Sequence, residues 1–397
     1  NDTNEAFFND MMKVSQGKAD PALTHKVVDN CTRLLEWLHS DCGINFKTGA
    51  RLVWPQLTRS HLVTGDVQPG GAYLAMTLMK KAESLGVEVR TGNKVVALLS
   101  DPKKGNVNGV RVKNENGLSE VYAKYGVVLS TGGYSANQEL VTQFIGSAGA
   151  KMPIRGSRII AGENIVLTAP FMPKVVNVDQ FHCGPIYGPT GANPLNIVNN
   201  GVCVNRQGKR FIDEGKTYVQ ISREVAANTP DNWAFMVCDQ TAHDIPILKN
   251  DWASYARTKA PVYTGNTLEE AAKAAGIDPK ALKETIEDYN EAIEDGEAMK
   301  MSPVNTLPKP PVVKKAPFYI VPFQGGMTAT FGGPLINTNG QVLDTENQVI
   351  PGLFCIGNAA GGLFYDNYVG GAQLTSAGVF GMTVAEYVKG LKGGKKA

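Results

Sequence analysis

Near the end of the chain, Ile350-Pro351-Gly352-Leu353-Phe354-Cys355-Ile356-Gly357-Asn358-Ala359-Ala360-Gly361-Gly362 is followed shortly by Tyr368-Val369-Gly370-Gly371-Ala372-Gln373-Leu374 and a run of small residues that reads as a helix. An apolar strand running into glycines that open a helix lets backbone approach a ligand closely. It also aims helix N–H groups at an electron-rich atom. A second segment, Gly126-Val127-Val128-Leu129-Ser130-Thr131-Gly132-Gly133-Tyr134, is a short apolar strand ending in a Thr-Gly-Gly turn. An α/β sheet presents backbone to a dinucleotide in this way, at the C-terminal ends of its strands. Between the two lies Asn205-Arg206-Gln207-Gly208-Lys209-Arg210-Phe211-Ile212-Asp213-Glu214.

In their order and spacing these motifs resemble the flavoprotein subunits of the fumarate reductase and succinate dehydrogenase type, especially the soluble fumarate reductases, urocanate reductases and ketosteroid dehydrogenases. The resemblance runs from Asp20-Pro21-Ala22-Leu23 through Thr131-Gly132-Gly133, Arg210-Phe211 and Gly332-Gly333 to the C-terminal helix. It implies an α/β fold, a Rossmann-like flavin-binding domain with an inserted α+β clamp or capping domain, and FAD as cofactor. Thr131, Gly132 and Gly133 are then expected at the adenosine or pyrophosphate side, with a backbone contact from Val96 to adenine. Asn358, after Gly357, stands where many relatives carry a glutamate for the ribityl or pyrophosphate region. Glu163 replaces the acid of a Gly-Asp-Gly stretch. The Gln373 and Leu374 amides are expected at the flavin O2/N1 edge, where a helix N-terminus stabilises negative charge. Nothing suggests a covalent flavin link.

The family's dicarboxylate ligands are matched by other residues here. Tyr218, four residues after Glu214, falls at the position of the acid arginine, and Tyr368 at the arginine of an Asn-Arg-x-Gly-Gly motif. The His-His-Thr-x-Gly-Gly motif reads Thr328-Ala329-Thr330-Phe331-Gly332-Gly333. The residue before Pro185 is Gly184 instead of histidine, with His182 two positions earlier. A carboxylate buried without paired donors costs several kcal/mol, so the resemblance implies a substrate that is not a dicarboxylate. Two phenols suit a carbonyl-bearing, aromatic or polycyclic compound. Tyr218, on a strand or loop of the clamp domain, is the expected proton donor, with Lys216 and Arg223 as neighbouring cations, and Tyr368 the carbonyl donor, assisted by the Gly371 N–H. His182, Tyr187 and Thr330 are expected in the substrate pocket. Three readings stay open: an ene-reductase, the reverse carbon–carbon dehydrogenase of ketosteroid type, and a non-catalytic subunit whose site has decayed. The retained glycines and Gln373-Leu374 weigh against decay.

The elements that must position these groups follow from periodicity and caps. Two helices are expected in residues 1–38, the second starting at Pro21 behind Asp20. Strands are expected at Val87–Val89, Val95–Leu99, Val107–Val112 and Val121–Leu129. Thr267-Leu268-Glu269-Glu270 reads as a capping box, and Asp278-Pro279 opens a helix reaching about Glu294. Pro303 to Pro311 reads as a linker. The domains expected are 1–178, the first part of the flavin domain, 179–330, the substrate or capping domain, and 331–397, the flavin domain completed. The resembled family opens with a Gly-x-Gly-x-x-Gly turn and a following acid, which do not appear here, so that segment belongs either to a separate or cleaved N-terminal FAD-binding polypeptide or to a part of the protein outside this sequence; an unidentified electron donor or acceptor is a further expected partner.

A chain of 397 residues with 43 Gly and 22 Pro calls for two lobes with many tight turns. Its net charge of +2, with basic and acidic residues interspersed, gives no nucleic-acid surface, and Lys392 to Lys396 reads as a solvated tail. No apolar run reaches the roughly 20 residues of a membrane helix. Six cysteines without C-x-x-C spacing give no metal or haem motif and fit reduced thiols. A cytoplasmic location fits these thiols, and members of the resembled family are also exported.

Overall fold

The computed structural model describes residues 2–48, 59–65 and 70–392, so Pro69 and most of the lysine tail lie outside the described residues. The chain forms two compact units, one of 1–134, 160–181 and 330–397, the other of 135–159 and 182–329. The segment 135–159, expected in the flavin domain, therefore clusters with the second unit. Its physical ties explain this. Lys151 Nζ donates to Thr229 O at 2.8 Å, Asn232 Nδ2 donates to Lys151 O at 3.1 Å, and Arg155 N–H donates to Met327 O at 2.7 Å.

In the first unit, the strands Val127–Leu129 and Val349–Cys355 run parallel, with Leu353 opposite Val127 and Cys355 opposite Leu129. Gln341–Leu343 flanks Val349–Cys355 on its other edge. Leu129, Leu353 and Cys355 enter a core with Val27, Val28, Phe331 and Phe380. The helix Pro21–Ser40 starts as its sequence demands, with the Asp20 carboxylate accepting from the N–H groups of Ala22 and Leu23. The small residues of the helix Ala372–Lys392 have a steric purpose. A Cβ on Gly378 would stand 2.6 Å from Leu34 Cδ2, so glycine there lets the two helices meet without displacing the Leu34 side chain.

An antiparallel meander of Lys94–Ser100, Val107–Asn114 and Gly117–Tyr122 completes this unit. Two expectations change here. Val87–Val89 forms no strand and pairs with none among the described residues, and its charged flank folds on itself through the Glu88–Arg90 ion pair. The expected single strand Val121–Leu129 is two: its start belongs to the meander and its end to the parallel pair. Gly126 makes the break, at φ +135 and so close to Gly352 that a Cβ would meet Gly352 O at 2.5 Å.

The second unit is a sheet between two helical layers. Its strand order is Tyr263–Gly265, Phe318–Thr330, Ala234–Cys238, Val202–Val204, with Phe181–Ile186 also paired to Phe318–Thr330. Every residue of Ala234–Cys238 is buried, and the alternation of a strand sends Met236 and Cys238 to one core, Phe235 and Val237 to the other. Tyr218–Asn228 and Lys249–Thr258 cover the first face, through Ile221, Val225 and Tyr255. Pro279–Glu294 covers the second, through Leu282, Ile286 and Tyr289. At Leu268–Ala275 only half of the expected box forms: Thr267 accepts from Glu270 N–H, while the Glu270 carboxylate takes Asn266 N–H at 2.8 Å.

Candidate active site

The first unit supplies a set of glycine turns braced to one another. Thr131-Gly132-Gly133 follows the C-terminal end of Val127–Leu129, with Gly132 at φ +73. A Cβ on Gly133 would collide with Thr330 Oγ1, and that hydroxyl accepts the Tyr134 N–H at 2.9 Å. Thr330, expected to touch substrate, is buried and engaged in holding this turn. Asn164, which sequence reading passed over, ties two further turns together. Its Nδ2 donates to Gly332 O at 3.2 Å and to Ala359 O at 3.1 Å. Glu163 is the first residue of the short helix Glu163–Val166, and its carboxylate accepts Ala161 N–H at 3.3 Å. Gly357 opens the turn that carries Asn358, at φ +60.

The long C-terminal helix begins after Gly371, at φ +86, where a Cβ would find no atom within 4 Å. Leu374 is exposed within its first turn, whereas Gln373 Nε2 is buried with no hydrogen-bond partner among the described residues. A buried donor left unpaired is costly. A flavin carbonyl or ring nitrogen would satisfy it, and the open backbone at Gly371 and the turns at Gly132 and Gly357 leave the close approach that a dinucleotide needs. The residues present fit FAD. Val96 sits in the meander with its side chain exposed. Tyr368 is half-buried, edge-on to Phe331 at 6.1 Å and near Phe364 at 6.1 Å.

The second unit holds Tyr218. Its expected place on a strand or loop is corrected: Tyr218 is the first residue of the helix Tyr218–Asn228, and Thr217 is its cap. Thr217 and Gln220 form a reciprocal capping box, which fixes where the helix starts and hence where the phenol projects. Upstream, Arg210 and Glu214 form a buried ion pair, with side chains 6% and 0% exposed. Arg210 also donates to Pro303 O and to Val304 O, and Glu214 accepts from Cys203 N–H at 2.9 Å and from Asn305 Nδ2 at 3.2 Å. Asp213 accepts Thr306 N–H at 2.9 Å. The Arg-Phe-x-x-Glu motif is thus a clasp on the stretch after Pro303, and it delivers the chain to Thr217.

Tyr218 meets His182. His182 Nε2 lies 3.1 Å from Tyr218 Oη, with the rings edge to face at 5.8 Å. Cys183 Sγ, next to His182, donates to Val219 O at 3.4 Å and ties the strand to the helix. His182 is 2% exposed, and burial, reinforced by the charges of Arg155 and Arg223, pushes its pKa down to about 3. Two arginines, Arg155 and Arg223, therefore act on His182 in this unit, neither of them at a family ligand position. Arg155 lies over the strand at Gly184, where a Cβ would stand 2.9 Å from its Cζ, and its Nη1 donates to Thr328 Oγ1 at 3.1 Å. Gly184 and His182 are two residues apart on one strand face. Lys216, expected to act on the phenol, pairs instead with Glu224. Tyr187 is placed apart from this pair, against Trp233 at 5.4 Å and Tyr255 at 6.3 Å.

A histidine neutral in the fold and chargeable when unfolded destabilises the fold in acid. The contribution is fully present above the ordinary pKa of 6.5 and is lost as pH falls toward 3. His182→Gln is expected to flatten the dependence of the urea midpoint on pH across that window. An unchanged acid slope in the variant would count against this account.

Among the described residues, no cluster of His, Cys, Asp and Glu could hold a metal ion, and no helix is long and apolar enough to cross a membrane. The FAD binding domain family matches residues 1–374. The chain is 27% identical over 384 residues to NADH:fumarate oxidoreductase of Klebsiella pneumoniae (strain 342), covering 96% of this chain and 40% of that protein. It is 26% identical over 391 residues to urocanate reductase of Eggerthella lenta, covering 96% of this chain and 63% of that one. Among solved structures, the open conformation of a flavocytochrome c3 fumarate reductase superposes with a TM-score of 0.82 at 26% identity, over 98% of this chain and 67% of that chain. The chain thus spans about two-fifths to two-thirds of the length of these relatives. With the glycine turns, the orphaned Gln373 amide and a match over nearly its whole length, the chain belongs to the FAD binding domain family of the fumarate reductase and succinate dehydrogenase flavoproteins, and its cofactor is FAD.

Proposed function

We propose that the protein is an FAD-dependent oxidoreductase acting on CH–CH groups, which reduces the C=C bond of an α,β-unsaturated carbonyl compound that is not a dicarboxylate. The observation that carries this reading is the Tyr218 phenol, placed at a capped helix start and hydrogen-bonded to a neutral histidine, where the resembled enzymes carry an arginine. The relatives named as fumarate and urocanate reductases support reduction of an activated alkene. Bound FAD supplies the hydride for the β-carbon. As negative charge develops on the carbonyl oxygen, the Tyr368 hydroxyl and the Gly371 N–H donate to it. Tyr218 gives its proton to the α-carbon.

The test is reoxidation of the chemically reduced holoenzyme without oxygen. Conjugated aldehydes and ketones are expected to reoxidise it, and fumarate to do so at least about 10²-fold more slowly, because Tyr218 and Tyr368 stand at the two positions where the resembled enzymes carry the arginines that pair its carboxylates. Reoxidation by fumarate at an equal or greater rate would sink the reading.

A second part of the proposal concerns a partner segment. Among the described residues Val127–Leu129 is an end strand of its sheet, with Val128 42% exposed. The helix Gly70–Ser84 buries none of its residues, and Met76 and Met79 are 49% and 46% exposed. An apolar helix without a core gains little from propensity alone. A further α/β segment carrying the ADP-binding strand, in the same or a separate polypeptide, is proposed to pair with Val127–Leu129 and cover this helix. Hydrogen exchange in preparations with and without that segment checks this: the amides of 127–129 should become protected when it is present, and unaltered exchange would refute it.

A further inference from the structure

We infer that Arg155 is a specificity-determining residue: its guanidinium, held over the strand that carries His182, binds a single carboxylate on the substrate, set apart from the carbonyl that activates the double bond. The inference deepens the proposed reduction of a conjugated carbonyl compound and rests on it for what the substrate is. The anion site itself is tested without turnover.

The second unit builds a slot for this side chain. The backbone at Arg155 is stitched to the strand Phe318–Thr330: the N–H groups of Arg155 and Gly156 both donate to Met327 O, at 2.7 and 3.1 Å. Gly156 lies so close to that strand that a Cβ would stand 2.1 Å from Thr328 O. The side chain then lies against the two paired strands Phe181–Ile186 and Phe318–Thr330. A Cβ on Gly326 would meet Arg155 Cβ at 3.2 Å, and one on Gly184 would meet Cζ at 2.9 Å, Nη1 at 3.0 Å and Nε at 3.1 Å. A side chain at Gly184 would therefore push the guanidinium away, and glycine there keeps its place open.

The slot holds a cation without a counter-charge. Among the described residues, the Arg155 side chain makes one hydrogen bond, from Nη1 to Thr328 Oγ1 at 3.1 Å, and pairs with no carboxylate. Holding a threonine hydroxyl needs no charge. Arg155 is half-buried, and a partly dehydrated guanidinium with most of its donors unused is costly unless an anion completes it. Its planar fork matches a carboxylate through two parallel hydrogen bonds. The place is also suited to the reaction. The charge of Arg155 reaches His182, whose Nε2 is 3.1 Å from Tyr218 Oη, so a carboxylate held there orients the substrate beside the proposed proton donor.

The test compares benzylideneacetone with its para- and meta-carboxylates, enones that differ in one charged group. Binding to the oxidised holoenzyme is read from the change in flavin absorption, and kcat/KM from reoxidation of the reduced enzyme. At least one carboxylate is expected to bind and react about tenfold or more better than the uncharged enone. Arg155→Met should bring that ratio to within about twofold of unity, and Arg155→Lys, which keeps the charge without the fork, should retain part of it. Should Arg155→Met not fold, Arg155→Gln takes its place, since its amide can still reach a hydroxyl. A merely structural arginine would leave the ratio unmoved, whatever its effect on stability. No preference for either carboxylate in the parent, or a preference that survives loss of the guanidinium, overturns the inference. Binding that depends on Arg155, in an enzyme that none of the three enones reoxidises, upholds the anion site and sinks the proposed reduction. The two failures are distinguishable because binding is measured without turnover.

Discussion

Tyr218→Phe is expected to lower turnover by roughly 10²-fold or more while flavin content and substrate binding survive, because the ring and its packing remain and only the transferable proton is lost. The phenol sits at the first residue of the helix Tyr218–Asn228, and Phe is tolerated there without disturbing the Thr217–Gln220 box. Reduction of the flavin by an artificial donor should be unaffected, so the loss should appear in the oxidative half-reaction alone. Tyr368→Phe provides the contrast. Its hydroxyl polarises the carbonyl in the proposed scheme, so the apparent substrate constant should rise along with the loss in rate. Single-turnover measurements on both variants separate the roles, and a Tyr218→Phe enzyme with unchanged chemistry would remove Tyr218 from the mechanism.

The largest stability effect is expected at Glu214. Glu214→Ala leaves Arg210 as a buried cation without its carboxylate, frees Cys203 N–H and Asn305 Nδ2, and should cost about 3–5 kcal/mol. Burial holds the Glu214 carboxyl above its ordinary pKa despite Arg210, a sign that the pair pays heavily for its dehydration. Replacing both partners, Arg210→Met with Glu214→Leu, should recover much of the loss, because an apolar pair leaves no charge uncompensated. Urea unfolding followed by the fluorescence of Trp233 and Trp252, in the same unit, would measure this. A single variant within about 1 kcal/mol of the parent would show that the clasp is dispensable.

Much of the frame was legible because it is local chemistry. Asp20-Pro21 and Asp278-Pro279 announce helix starts through side chains two or three residues from the N–H groups they satisfy. The Thr-Gly-Gly turn and the glycines before the last helix are equally local. What escaped reading was set by distance along the chain or by steric detail. His182 and Tyr218 are joined only by the fold, as are Arg155 and Gly184. Asn164 looked like an ordinary polar residue beside Glu163, yet it braces two turns far away in sequence. Val121–Leu129 read as one strand because only Lys124 and Gly126 interrupt its apolar residues; the close approach of Gly126 to Gly352, invisible in either segment alone, divides it.

The hydrogen bond from Tyr134 N–H to the Thr330 hydroxyl spans 196 positions of the chain. During synthesis, the Thr131-Gly132-Gly133 turn therefore leaves the ribosome long before the residue that shapes it. At about 5–20 residues per second this interval is roughly 10–40 s. A nascent chain in that interval presents a glycine turn without its brace, so the finished cofactor cradle is a late product of translation. Any pause or truncation ahead of Thr330 should yield chains that are largely built yet unable to retain the flavin.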